Sequence, residues 1–366
     1  MPIQPLDIES FLERALTLPV LDVRSPAEYA HAHIPGALSM PLFTDEQRKV
    51  IGTAYKKESR QAAVDLGLGY FAERMKEIHR EYNTLVEQWS AAHHLPLLPG
   101  SPVLLYCWRG GMRSGAVAWL LNLYGIRPFT LNGGYKAFRR WVLGRFELNY
   151  RLHVIGGYTG SGKTEILAKL RQEGLRTIDL EALASHRGSA FGSLGQEAQP
   201  SAELFENRLA LALYRENAPG PVPGPGNELP VWLEDESMHI GSVGIPRAFW
   251  NQMRESPLYF LDIPFDERLN HIVAGYGKFD PPLLEACILK IQKRLGGQDT
   301  KNALNFLREG DLAACFTILL RYYDKLYHNS LHNRQNLPAL LNKIPCTGVD
   351  RNNAAKVILQ PGGSTR

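Results

Sequence analysis

Only four cysteines occur in the chain, Cys107, Cys287, Cys315 and Cys346, and no two of them form a C-x-x-C pair. That usage argues against a structural zinc site and against a disulfide framework, and it suits a reduced, cytosolic setting. No apolar run approaches the ~18 residues that a membrane span needs. The segment from Met1 to Asp7 has neither a basic n-region nor a long apolar h-region, so no secretory leader is expected. Neither sign of charge dominates. The 41 Lys and Arg against 37 Asp and Glu leave a net +4, which permits a nucleic-acid partner without demanding one. Internal repeats are also missing. What remains is a chain of 366 residues, 44% hydrophobic and 21% charged, enough for two ordinary globular domains with a core each.

Strand, loop and helix patterns alternate, as in a parallel α/β sheet. Residues 20–24 read as a short buried strand, 25–29 as a turn and helix start, and 33–37 as an extended turn. Residues 102–106 form a second buried strand, and 114–123 have helical spacing stopped by Gly125. Between these lies a long helical insertion at about 44–95. Its Lys49, Lys56, Lys57, Arg60, Arg74, Lys76 and Arg80 are either a solvated face or an RNA-facing one. The expected organisation is a first domain at 1–138, a connector at 139–150, and a second α/β domain at 151–366. In the second, strands are expected at 152–155, 231–233 and 258–261, an exposed Pro/Gly loop at 218–230, and mostly helix from Pro282 onward.

Two loops carry chemistry. Cys107-Trp108-Arg109-Gly110-Gly111-Met112-Arg113-Ser114 follows the second strand. A thiol acts as a nucleophile only as thiolate, and a ring of backbone N–H groups at a helix start favours that form and binds an anion beside it. Gly110 and Gly111 let the backbone curl inward, while Arg109 and Arg113 offer charge to an oxyanion or phosphate. Cys287, Cys315 and Cys346 lack such a setting and are expected to be inert.

The second loop, Gly157-Tyr158-Thr159-Gly160-Ser161-Gly162-Lys163-Thr164, is a complete G-x-x-x-x-G-K-[ST] phosphate loop between a strand and a helix. Its amides would wrap a β-phosphate and Lys163 would neutralise it. Thr164 is a candidate Mg²⁺ ligand. Val231-Trp232-Leu233-Glu234-Asp235-Glu236 reads as a Walker-B-like strand that brings Glu234 or Asp235 near such a metal. The stretch Asp179-Leu180-Glu181 and His186-Arg187-Gly188 occupies the position that faces the acceptor in P-loop kinases, or is a turn with a satisfied histidine. The motif identifies a diphosphate and not a nucleotide, since no base-recognition motif is visible.

Asp22-Val23-Arg24, Glu28-Tyr29, His33-Ile34-Pro35-Gly36-Ala37, the Cys107 loop and Gly133-Gly134-Tyr135 together resemble a rhodanese domain. Ala32 stands where rhodaneses commonly have glycine. Arg113 lies six residues after Cys107 rather than five, which resembles the C-x5-R spacing of cysteine phosphatases. The wider ring this implies would hold selenide or a phosphate ester, and it leaves a phosphatase reading open.

Over residues 10–330, the order of a rhodanese domain and a P-loop domain resembles the tRNA 2-selenouridine synthase family. Gly52-Thr53-Ala54-Tyr55-Lys56, Gly134-Tyr135-Lys136, Glu234-Asp235-Glu236-Ser237 and Tyr322-Tyr323-Asp324-Lys325-Leu326-Tyr327 add to the likeness. The resemblance implies a two-step transferase acting on wobble 2-thiouridine in tRNA. Geranyl diphosphate would alkylate the sulfur at the Lys163 loop. Selenophosphate, supplied by selenophosphate synthetase, would then replace the geranylthio group at the Cys107 loop, with Arg109 and Arg113 on its phosphate. Selenium would attack directly or travel as a Cys107 perselenide.

On this reading no tightly bound cofactor is expected. Mg²⁺, if used, would sit on Thr164 and Asp235. The competing reading is an ATP-dependent RNA-modifying kinase or sulfurtransferase that carries sulfur as a Cys107 persulfide; a third is a tRNA-binding module without turnover. Candidate RNA contacts are the basic insertion, Arg139-Arg140, and Lys290, Lys293 and Arg294, where phosphate contacts would make binding salt-dependent. Tyr276 and Phe279 could stack on bases or pack in a core.

Overall fold

The computed structural model describes residues 3–97, 100–217 and 229–359. The Pro/Gly loop expected at 218–230 falls almost wholly outside them. The chain divides into two compact units, Met1–Gly144 and Arg145–Arg366.

The first unit runs β1 (Gln4–Leu6), α1 (Ile8–Arg14), β2 (Val20–Asp22), α2 (Pro26–His31), β3 (Leu38–Ser39), α3 (Asp45–Lys57) and α4 (Arg60–His93). It continues with β4 (Val103–Tyr106), α5 (Met112–Leu123), β5 (Pro128–Leu131) and α6 (Gly134–Arg145). Its five strands form one parallel sheet in the order β1-β5-β4-β2-β3, with β4 at the centre. A central parallel strand has both faces covered, so every residue of β4 is buried.

The insertion folds as the helices α3 and α4. Thr44 caps the first, accepting the Gln47 N–H at 3.2 Å. The 34-residue α4 drops Phe71, Ile78 and Tyr82 onto the sheet's core. Lys49, Lys56, Lys57, Arg60, Lys76 and Arg80 stay exposed, while Arg74 is paired with Glu77 and Glu81. At 139–150 the chain is first helical: α6 runs through to Arg145 and buries Phe138 and Val142.

Behind the β4 end lies a buried charge. The Arg24 guanidinium meets Asp22 at 2.6 Å, donates to Ala32 O at 2.7 Å, and stands 3.9 Å over the Tyr135 ring. Tyr106 Oη donates to the same Asp22 carboxylate at 2.6 Å and accepts the Ile34 N–H at 3.1 Å. This network pins the 33–37 turn to the central strand.

The second unit opens with β6 (Leu152–Gly156), α7 (Lys163–Gln172), β7 (Thr177–Ile178), α8 (Leu180–Ala184), α9 (Ala202–Asn217) and β8 (Val231–Glu234). A small antiparallel pair, β9 (His239–Ile240) and β10 (Val243–Gly244), precedes α10 (Arg247–Glu255) and β11 (Leu258–Asp262). Then come α11 (Phe265–Tyr276), α12 (Pro281–Leu295), α13 (Gly297–Glu309), α14 (Leu312–His332), α15 (Leu337–Leu340), β12 (Leu341–Pro345) and α16 (Asn353–Ile358). The parallel sheet is ordered β12-β11-β6-β8-β7, again with the loop-bearing strand at its centre.

Helices α11 to α14 pack around their own apolar cluster, which includes Phe191, Ile288 and Phe316. Tyr276 stacks against Phe316 and lies tilted against Phe279, so both rings pack on this cluster. The tail beyond Asn333, featureless in sequence, supplies the edge strand β12 and the helix α16.

Asp22→Ala would leave the Arg24 cation buried without its counter-charge. We expect a loss of about 3–5 kcal/mol in the unfolding transition of this unit, measured by urea titration, with much of it recovered when Arg24→Met is added.

Candidate functional site

Cys107 lies just beyond β4, at the carboxyl edge where parallel α/β sheets place their ligands. Backbone packs directly on backbone here. At Gly110 (φ +63°) a Cβ would overlap Leu131 O, and at Gly134 (φ +58°) one would overlap Cys107 O. Only glycine allows that approach. The start of α6 thereby docks behind the loop, where the Tyr135 N–H donates to Cys107 O at 2.8 Å and the Lys136 N–H to Trp108 O at 3.0 Å.

The Cys107 thiol is 3% exposed. Its Sγ accepts the Gly111 N–H at 3.4 Å and lies 3.3 Å from Ser114 Oγ. Burial is the largest single influence and pushes the thiol's pKa up. The Ser114 hydroxyl, the Ser114 and Gly111 amides and the Arg113 charge outweigh it and hold the group below the ordinary thiol value. Cys287, Cys315 and Cys346 are buried with their pKa pushed up by burial, Cys315 to about 11.

Helix α5 begins at Met112 with Gly111 as its cap, two residues ahead of the expected start. Arg113 therefore stands in the first helical turn. Its guanidinium forks onto Glu28 at 2.7 and 3.4 Å, and Glu28 also accepts the Ser25 N–H at 3.0 Å. From this ion pair Arg113 also lends its charge to the thiol. Arg109 is exposed, as are Trp108 and Met112 on the rim of the loop.

The phosphate loop follows β6 and leads into α7, as its motif requires. Gly160 (φ +81°) and Gly162 (φ +75°) admit close neighbours. A Cβ at the first would lie 2.8 Å from Ile272 Cγ1, and at the second 2.7 Å from Val349 Cγ1. The Arg268 guanidinium, held by Asp324 through two bonds of 2.8 Å, donates to Thr159 O at 3.1 Å. Gly157 N–H donates to Tyr327 Oη at 3.2 Å, and Tyr327 donates in turn to Asp235 at 2.7 Å. Lys163 Nζ folds back 3.3 Å from Gly157 O. Ser161 Oγ is buried and has no hydrogen-bond partner among the described residues.

A cavity of about 480 Å³ opens over this loop. Lys163, Thr164, Glu181, Arg187 and Glu236 are among its polar lining, and Ile272, Tyr276, Tyr323 and Leu326 line it from α11 and α14. Asp179 and His186, expected on the acceptor side, and Glu234, expected near the metal, are not among its lining. Asp179 caps α8 by accepting the Ala182 N–H at 2.7 Å. The buried His186 ring packs against Gly192, and burial lowers its pKa. Glu234 is buried, accepts the Glu181 N–H at 2.8 Å, and is pushed well up in pKa, chiefly by burial.

Asp235 borders the cavity, one of its oxygens accepting from Tyr327 and the other from the buried Arg334 at 2.7 Å. Thr164 Oγ1 donates to Glu181 at 3.3 Å. Among the described residues no three His, Cys, Asp or Glu side chains gather as a metal site. Thr164 and Asp235, the expected Mg²⁺ ligands, both line the cavity.

A rhodanese-like domain matches residues 6–140, and a tRNA 2-selenouridine synthase AAA domain matches residues 150–281. A relative from Nitrosomonas eutropha named tRNA 2-selenouridine synthase is 33% identical over 371 residues, covering 87% of this chain and 90% of its own. The chain belongs to the tRNA 2-selenouridine synthase family. Members from Hahella chejuensis and Pseudomonas fluorescens are 33% and 34% identical, covering 90% and 84% of this chain and 89% and 87% of their own.

Within this family member, Arg268, Asp324, Tyr327, Arg334 and Val349 brace the phosphate loop. None carries a sequence signal for that role, because each comes from a segment far along the chain. The Tyr322–Tyr327 run was the nearest cue. Glu236 was visible only as the last acid of an acidic run.

Ser114→Ala removes the hydroxyl beside the sulfur. The pH midpoint for iodoacetamide alkylation of Cys107 should move upward, with the other three cysteines unchanged; peptide mass mapping across pH would show it.

Proposed function

We propose that the protein is a tRNA-modifying enzyme that makes 2-selenouridine from wobble 2-thiouridine in two transferase steps. The observation that carries the first is the cavity, which a diphosphate loop shares with apolar and aromatic side chains. A phosphate loop beside such side chains suits geranyl diphosphate, with its diphosphate on Lys163 and the loop amides and its chain along Ile272, Tyr276, Tyr323 and Leu326. The thiouridine sulfur attacks the geranyl C1, the C–O bond to diphosphate breaks, and one proton leaves N3. Lys163 and the amides stabilise the charge growing on the departing diphosphate.

The second step belongs to the Cys107 loop. Selenophosphate, supplied by selenophosphate synthetase, delivers selenium to C2 and geranylthiol departs. Water then cleaves the Se–P bond, releasing phosphate and restoring the N3 proton. The thiol's lowered pKa and the exposed Arg109 suit either a selenium carrier or a selenophosphate clamp. Both steps fit a reduced cytoplasmic setting. Among the described residues no helix is long and apolar enough to cross a membrane.

Lys163→Ala should slow S-geranylation by about 10²–10³-fold, the usual effect of removing one preorganised charge-stabilising donor. Cys107→Ala should leave that step intact and accumulate S-geranyl-2-thiouridine tRNA. Nucleoside mass analysis after incubation with 2-thiouridine tRNA, geranyl diphosphate and selenophosphate reads both. Equal loss of both steps in both folded variants would overturn the division of labour. Wild-type protein that binds tRNA but leaves its nucleosides unchanged would overturn the function.

A further inference from the structure

We infer that Glu236 is the general base of the alkylation step, accepting the N3 proton of 2-thiouridine as its sulfur is alkylated. The inference rests on the alkylation reading above. The proton balance requires such a group. 2-Thiouridine carries a proton on N3 and a C2=S bond, whereas its neutral S-alkylated product has a C2=N3 bond and no N3 proton. As S–C forms and C–O breaks, the N–H electron pair becomes the second C2–N3 bond and the proton must go to an acceptor beside the ring.

The cavity offers that acceptor beside the diphosphate loop. Ser161 Oγ, 2% exposed and without a partner among the described residues, lines the cavity and points to a polar ligand there. In the same cavity two carboxyls converge on Gly188. A Cβ at that glycine (φ +70°) would lie 3.1 Å from Glu181 Oε1, and 3.6 and 3.8 Å from the two Glu236 oxygens. With hydrogen alone at Gly188, the way to both acids stays open.

The two are not equivalent. Glu181 accepts from Thr164 Oγ1, whereas the Glu236 carboxyl accepts no hydrogen bond among the described residues and so has its lone pairs free for a substrate proton. The groups facing Glu236 are Glu181 and Asp179 from α8 and its start, Lys163 from α7, Asp235 beside it, and Arg187 on the cavity rim. A carboxylate with free lone pairs beside the substrate can take the proton as the S–C bond forms.

The test uses the full-length protein with 2-thiouridine tRNA and geranyl diphosphate, following single-turnover alkylation across pH in wild type, Glu236→Gln and Glu236→Asp. Binding of inorganic diphosphate is measured in parallel by calorimetry. We expect Glu236→Gln to alkylate about 10²-fold more slowly near neutrality, the scale of general base catalysis, and to recover toward wild type at alkaline pH, where N3 ionises unaided. Its diphosphate affinity should be at least that of wild type.

Wild-type rate and pH profile in Glu236→Gln would overturn the assignment. So would a loss that alkaline pH does not rescue while diphosphate still binds. If Glu236→Gln fails to fold, Glu236→Asp decides: a displaced pH profile supports the base, an undisplaced one overturns it. Wild-type protein that yields no alkylated nucleoside overturns the alkylation reading, and this inference with it.

Discussion

Backbone packed against bare backbone is the constraint on which both loops depend. The Cys107 loop keeps its shape because Gly110 and the Gly133-Gly134 turn touch where no Cβ could fit. That contact seats the α6 amides on Cys107 O and Trp108 O and leaves the thiol turned toward α5. The phosphate loop follows the same rule with different partners, since Gly160 and Gly162 take Ile272 and Val349 into the space a side chain would fill. Glycine costs conformational entropy on folding. Here that loss is offset by the approach it permits.

Buried ion pairs supply the second layer. Asp22–Arg24 lies behind the cysteine loop, Asp324–Arg268 beside the phosphate loop, and Asp235–Arg334 beneath it. Such pairs gain little net stability over a well-packed apolar core, yet removing one partner is severe. In each case the pair reaches a loop by a further hydrogen bond: Tyr106 to the 33–37 turn, Arg268 to Thr159 O, Tyr327 to Gly157. The charges thus act as alignment pins.

The sequence made the local half of this legible. The strand ending in Cys107, the strand before Gly157 and the helices after both follow from short-range pattern, because burial of a central parallel strand and the left-handed glycines are written within a few residues. What stayed hidden is long-range. That Arg113 would face Glu28 depends on where α2 lies, which its spacing from Cys107 does not tell. That Asp235 would be held by Tyr327 and Arg334, from far along the chain, could not be read either. The strand β12 was overlooked because Leu341-Asn342-Lys343-Ile344-Pro345 has little apolar content, as suits an edge.

That same edge strand bears on how the protein is made. It pairs with β11 only after five intervening helices, and the turn beyond it carries the Val349 that fills the space above Gly162. A ribosome releases the chain from its N-terminus, and domains close as their parts appear. The rhodanese-like unit can therefore reach its native form while the rest is still being translated. The phosphate loop must wait for nearly the last helix, so an interrupted message would yield a finished cysteine site beside an unfinished diphosphate site.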